Sequence, residues 1–464
     1  MNKTSHGLLA ALALVCALVF NAVVRADPPP RQQQEPRVTL ALTNATVIDG
    51  EGGRPRVGMT VLVAGGRIVT VAESAKTKIP SGARVVDLTG RYLIPGLIDS
   101  HYHFMLGMRD AAVETVRRRF ALLGGVTTVR DMAGDALALG EIAKIANADG
   151  ASESPRIYYA ALLGGPTLLE SDNRVTPISH GRKNGEAPWA RSVRPDSDIP
   201  QIIAEAKASG VTAIKIYADL PAETVARLAR EAHRQGLKVW SHFAVFPAKP
   251  SEVVEAGVDV VSHAVDLVWE REKTYARFAD VRYGGVDWKT VSLDDPAMTR
   301  VLKLMRERGT ILDATTLVTH DRIVGRQLRR AAAERTLAEP ELLDRWLFAV
   351  VRRAHEMGIP VTVGTDIPEW EPGHELPNIH DELELLVTRA GFTPLEAITA
   401  ATMNGARSIG VERSLGTIRE GKLADFVVLS ADPTADIRNT RKIEYVVKGG
   451  VVHKFERVVM PESR

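Results

Sequence analysis

A chain of 464 residues is too long for one ordinary small domain, and its 45% hydrophobic and 25% charged content excludes global disorder. The formal net charge is +2; Lys3 and Arg25, both within the first 26 residues, account for the excess and leave 57 residues of each sign behind them. A neutral chain without basic runs argues against nucleic acid as a partner. Cys16, the single cysteine, lies in that same first segment, so disulfides, thiolate metal sites and a cysteine nucleophile are excluded from the remainder.

In chain order, residues 1–26 read as a signal peptide. Lys3 gives the positive start, Leu8 to Phe20 the apolar centre, and Val24-Arg25-Ala26 the small residues of a cleavage site. The apolar run is short for a membrane span, so cleavage without stable membrane insertion is expected, with a periplasmic or secreted product; an uncleaved anchor is the alternative. Residues 27–36, with Asp27-Pro28-Pro29-Pro30, form a flexible leader. Residues 37–92 alternate short apolar runs with turns, and Gly65-Gly66 marks a tight hairpin. Residues 409–464 have the same texture, with Gly449-Gly450 as a turn. One small β-sandwich built from both chain ends is the expectation.

Between them, residues 93–408 alternate strand and helix patterns. Eight strands are predicted: Ile94 to His101, Val126 to Asp131, Arg156 to Ala160, Ala213 to Tyr217, Lys238 to His242, Asp259 to His263, Thr310 to Ala314 and Pro360 to Asp366. Helices are predicted at Ala111 to Leu123, Ile199 to Ser209, Pro221 to Gln235, Pro250 to Ala256, Pro296 to Arg308 and Glu341 to Met357. This α/β pattern favours a (β/α)8 TIM-like barrel over an open doubly wound sheet, since no glycine-rich nucleotide fingerprint follows any strand.

Five of these strand ends carry candidate ligands. His101 and His103, at i and i+2, point the same way from an extended strand and can offer nitrogen to one cation. His242 and His263 end two further strands; each alone reads as a structural histidine rather than a ligand, and together they complete a neutral imidazole set. Asp366 ends the last strand, where it either caps a helix or takes a proton from an activated water. Lys215 shares the inward face of its strand with Tyr217; it is paired with a carboxylate such as Asp366, or converted by carbon dioxide to an anion able to bridge two metals. Tyr217 either packs in the core or hydrogen-bonds a carbonyl oxygen as charge builds there. Arg130, Trp240 and His374 are candidates for substrate contact.

The runs Gly96-Leu97-Ile98-Asp99-Ser100-His101-Tyr102-His103, Gly124 to Asp131, Gly364-Thr365-Asp366, Leu395 to Thr402 and Gly416 to Asp425 resemble the amidohydrolase superfamily, and within it the imidazolonepropionase-related, prolidase-like branch. The resemblance spans about residues 40 to 455. It implies two divalent metal ions of zinc type: His101 and His103 on one, His242 and His263 on the other, N6-carboxylated Lys215 between them, and Asp366 as ligand and proton shuttle. It implies hydrolysis of an amide-type C–N bond in a dipeptide, an N-acyl amino acid or a cyclic amide. A mononuclear deaminase or imidazolonepropionase-like cyclic amidase is the alternative, and a non-catalytic binding protein on the same scaffold is the alternative of another class. The expected partner is a small molecule, with homo-oligomerisation left open. Prolidase-like members often carry Gly-Gly-His after the third strand and Gly-Gly soon after the fourth-strand lysine. Here Gly164-Gly165 precedes Pro166, and Lys215 precedes Ile216-Tyr217-Ala218-Asp219, so dipeptide specificity is not carried over.

Overall fold

Apolar alternation at both chain ends resolves into one sheet. Its strands run in the order Val451–Lys454, Ile443–Lys448, Phe426–Leu429, Tyr92–Pro95, Val38–Val47, Arg56–Ala64 and Arg67–Glu73, with Arg84–Asp87 also paired to Val38–Val47. The two chain ends meet where Phe426–Leu429 lies antiparallel to Tyr92–Pro95, with Phe426 opposite Pro95 and Leu429 opposite Tyr92. Leu40, Leu42, Val61, Val63, Phe426 and Val428 fill the core of this sheet. The structure, a computed structural model, describes residues 37–104, 111–148, 150–272, 275, 277–280, 283–321, 340–367 and 374–459. The expected signal peptide (1–26) and leader (27–36) lie outside the described residues.

The second sheet has ten strands, eight of which form the parallel barrel: Leu97–Tyr102, Val126–Asp131, Arg156–Gly164, Ala213–Ile216, Lys238–His242, Val260–Ser262, Ile311–Asp313 and Val361–Thr362; the short Ala190–Ser192 and Glu186–Ala187 are added at Arg156–Gly164. Each barrel strand pairs in parallel with the next. Backbone hydrogen bonds from Ser100 N to Val363 O and from Asp366 N to His101 O, both 2.8 Å, join the last strand to the first. The architecture is the expected barrel with a separate sheet from the chain ends.

Three strand boundaries differ from expectation by more than one residue: Arg156–Gly164 runs four residues past the expected Ala160, and two other strands are cut short. The run Ile94 to His101 is cut at Gly96: Tyr92–Pro95 belongs to the end sheet and Leu97–Tyr102 to the barrel. A Cβ at Gly96 would lie 2.1 Å from Thr127 Oγ1, so only glycine lets the chain pass between the two sheets here. The last strand keeps only Val361–Thr362, because the chain then turns toward Asp366, whose φ is +50°. A helix at Ala136–Ala148 was not expected.

The barrel helices bury one stripe each. Ala222–Arg234 turns Val225, Leu228, Ala229 and Ala232 inward, at the spacing of one helical face. Pro296–Arg308 begins at Asp295, whose carboxylate accepts from Ala297 N, and stops at Gly309. Inside the barrel the strands' inward residues form layers. Ala160, Ala213, Trp240, Val260 and Ile311 pack together as an apolar layer. Two residues further along each strand, the next inward positions are Leu162, Lys215, His242, Ser262 and Asp313. The chemistry-bearing side chains therefore stand one pleat above a dry floor.

Candidate active site

His101, His103, Lys215, Tyr217, His242, His263 and Asp366 all line one cavity of about 440 Å³. Each reaches it from a strand's carboxyl end, where the barrel's loops converge. One nitrogen of His101, one of His103 and one oxygen of Asp366 lie within 4.8 Å of one another. His103 Nε2 is 3.2 Å and His101 Nε2 3.5 Å from Asp366 Oδ1, and His263 Nδ1 is 3.9 Å from Asp366 Oδ2. The imidazole centroids of His101 and His263 are 5.0 Å apart, and those of His263 and His242 4.6 Å. Tyr217 packs its ring 4.1 Å from that of His242.

Burial sets the charge state of the group. It lowers the His101 and His242 pKa values and takes His263 to about 3, so three imidazoles are neutral near pH 7. For His103 burial acts downward too, but the hydrogen bond and charge of Asp366 outweigh it and the net direction is up. Burial opposes ionisation of Asp366, yet the surrounding His101, His103 and His263 prevail and hold its carboxyl well below the usual range. Lys215, 1% exposed, is brought down to about 7 by burial.

Backbone strain accompanies this geometry. His263, Thr315 and Asp366 adopt left-handed φ angles of +73°, +48° and +50°. Thr315 Oγ1 meets His263 Nδ1 at 2.9 Å, and the Thr316 and Leu317 amides that follow both donate to the buried carboxylate of Glu382.

Three expected substrate contacts are placed elsewhere. Trp240 is in the apolar layer one pleat below His242, with Nε1 donating to Ser408 O at 2.9 Å. Arg130 is also buried, its guanidinium 4.8 Å from the Trp240 ring centroid and bonded to Asp313 and Ser100 O. Neither lines the cavity, because inward parity on their strands puts them under the donors. His374 is exposed and likewise outside the lining. Sequence reasoning missed Ser262 and Asp313, whose signal was their inward parity with Val260 and Ile311. It also missed Asp266 and Phe278, which reach the cavity from the short 3-10 helices Ala264–Glu270 and Phe278–Asp280, and Arg174, which reaches it from a loop.

The sequence pattern of the amidohydrolase family matches residues 92–453, well over half of the chain. The chain belongs to the amidohydrolase family. Imidazolonepropionase of Symbiobacterium thermophilum is 27% identical over 383 residues, covering 79% of this chain and 82% of that protein. Ochratoxinase of Aspergillus niger is 26% identical over 408 residues, covering 78% and 75%. The crystal structure of that ochratoxinase aligns with a TM-score of 0.68 over 90% of this chain and 96% of its own, at 23% identity. That of a Xaa-Pro dipeptidase gives 0.67 over 89% and 99%, at 19% identity; these two structural likenesses are of fold. The protein is a hydrolase acting on carbon–nitrogen bonds.

The residues of this amidohydrolase suit divalent metal. The donor set is neutral imidazole plus one ionised carboxylate, and His242 Nδ1 is buried without a hydrogen-bond partner among the described residues, as a nitrogen reserved for a cation would be. The departure from prolidase-like members after the fourth strand also has a visible role. Asp219 Oδ1 accepts from Phe278 N at 2.6 Å and so sets the Phe278 ring 5.7 Å from that of His242, on the cavity wall.

Proposed function

We propose that this amidohydrolase is an exported two-metal enzyme that hydrolyses the amide bond of a small substrate: a dipeptide, an N-acyl amino acid or a cyclic amide. The observation that carries the reading is the convergence of four imidazoles, Lys215 and Asp366 on one cavity. His101, His103 and Asp366 would hold one ion, His242 and His263 the other, and zinc suits nitrogen and oxygen donors without thiolate. Burial of Lys215 supports its place in the donor set: its neutral amine would add carbon dioxide, release a proton and so offer carboxylate oxygens to the metal. When bound, divalent metal supplies Lewis acidity, lowering the pKa of a water and polarising the scissile carbonyl.

Asp366 takes the proton of the attacking water and hands it to the departing nitrogen. Tyr217, kept protonated by burial, donates its hydroxyl to the carbonyl oxygen as negative charge develops. Phe104, Met132, Leu162, Val265 and Phe278 give the cavity apolar walls. Arg174, its guanidinium held by both oxygens of Asp172 and 6.0 Å from the Tyr217 ring, adds a polar ion pair to the cavity wall. Export rests on Lys3, the apolar run that follows it and Val24-Arg25-Ala26.

Metal analysis of the purified protein, with turnover of a dipeptide and N-acyl amino acid library, tests the reading. About two metals per chain are expected; about one points to the mononuclear deaminase or cyclic-amidase chemistry instead. Asp366→Asn is expected to lower kcat by about 10²–10⁴-fold, the range for loss of a general acid–base group. Normal turnover by the folded variant would sink the mechanism.

A further inference from the structure

Asp313 ends the seventh barrel strand, at the inward position above Ile311. Its carboxylate is fully buried, and a single oxygen, Oδ2, meets three polar groups. His101 Nδ1 lies at 2.6 Å, Arg130 Nη2 at 2.8 Å and Ser262 Oγ at 2.8 Å. Ser262 Oγ in turn accepts from Lys215 Nζ at 3.3 Å. A buried carboxylate needs a countercharge, and Arg130 provides it from a position that is itself buried on Trp240. The other oxygen, Oδ1, lies against Gly364, where a Cβ would be 2.3 Å away. An internal arginine and a glycine at close approach thus both accommodate a carboxylate outside the proposed donor set.

The geometry points to Asp313 as the positioning residue of the centre: it holds His101 as the Nδ1–H tautomer, leaving Nε2 bare toward the cavity, and through Ser262 it fixes the reach of Lys215. An ionised carboxylate only accepts, so the proton between Asp313 and His101 belongs to Nδ1. A neutral imidazole carries one N–H, so its lone pair is on Nε2, the nitrogen 3.5 Å from Asp366 Oδ1. The use of that lone pair rests on the two-metal reading; the tautomer does not. Arg130 and Trp240 acquire their function here: Trp240 supports Arg130, Arg130 keeps Asp313 ionised, and Asp313 orients a donor.

The test is long-range ¹H–¹⁵N correlation on histidine-labelled protein stripped of metal, with His101 identified by the resonance lost in His101→Gln. Wild-type His101 is expected to be protonated at Nδ1 alone. Protonation at Nε2, alone or together with Nδ1, overturns the proposal, and this measurement needs neither bound metal nor a variant of Asp313. In Asp313→Ala, the Nε2–H form should appear, and the Kd for cobalt(II), read from its visible absorption, should rise about 10–100-fold. A folded Asp313→Ala protein with the wild-type tautomer and cobalt affinity also overturns it. Absence of hydrolysis of the substrate library by the metal-loaded wild-type protein, with both readouts as expected, would count against the substrate reading alone.

Discussion

His263 and Asp366 leave their strands in a backbone region that costs a non-glycine residue roughly 1–3 kcal/mol. Glycine would relieve that cost but bring no donor, so the strain is retained where the side chain is needed. Tyr217 is a residue whose contribution separates cleanly into ring and hydroxyl. Tyr217→Phe keeps the packing on His242 and removes only the O–H. Its kcat is expected to fall about 10²–10³-fold, as for loss of one oxyanion donor, with KM nearly unchanged; steady-state kinetics on the best library substrate checks this. Equal kcat would leave Tyr217 as a packing residue. Strand parity and strand-end position were enough to single out the cavity's imidazoles, Lys215, Tyr217 and Asp366. Asp313 shares that parity and strand-end position, but its role was not legible from them. A carboxylate after Ile311-Leu312 looks like a helix cap until its partner, His101, 212 positions earlier, is folded against it.

Helices and strands were readable where one face is apolar and the other polar. Ala136–Ala148 was missed because Leu137 and Ile145 are exposed on it, which blurs the stripe that marks a buried face. The helix Ile379–Thr388 shows a different limit, since nothing local in its sequence marks His380 as a tie between elements. His380 Nε2 meets Gly124 O at 2.9 Å, and Nδ1 meets Thr440 Oγ1 at 3.0 Å. Burial brings this imidazole down to about 4 from an ordinary 6.5. Between those values the unfolded chain binds the extra proton and the folded one does not, so stability rises with pH there. The contribution is complete above about pH 6.5 and is lost as pH falls through 4. His380→Gln should flatten the dependence of unfolding free energy on pH between 4 and 6.5 by up to about 1.4 kcal/mol per pH unit, measured by urea titration. An unchanged slope would mean that His380 does not titrate in this window.

At the scale of the whole molecule, the barrel and the end sheet are fastened by buried charge. Arg156 on the third barrel strand bonds Asp425 through Nε at 2.8 Å and Nη2 at 3.1 Å, and Gly449 N donates to the same carboxylate at 2.6 Å. Asp425→Ala leaves that guanidinium without its countercharge in a dry seam. A loss of about 3–5 kcal/mol is expected, seen as a lower Tm in calorimetry. A Tm within one degree of wild type would show that the pair is dispensable. The alternating βα pattern made the barrel legible from sequence. The closing of the eighth strand on the first was not, because its backbone hydrogen bonds and its Ser100–Thr362 and Asp99–Thr365 side-chain bonds join residues more than 260 positions apart, which no local pattern announces.

Gly96 has a mechanical consequence. Pro95 is fixed by the end sheet, Leu97 by the barrel, and His101 lies only about 13 Å further along an extended chain. With no loop to take up slack, a shift of the outer sheet is handed directly to the first imidazole. Grafting a different outer sheet onto this barrel would therefore retune the donor geometry, even though the transplanted residues never approach the reacting atoms.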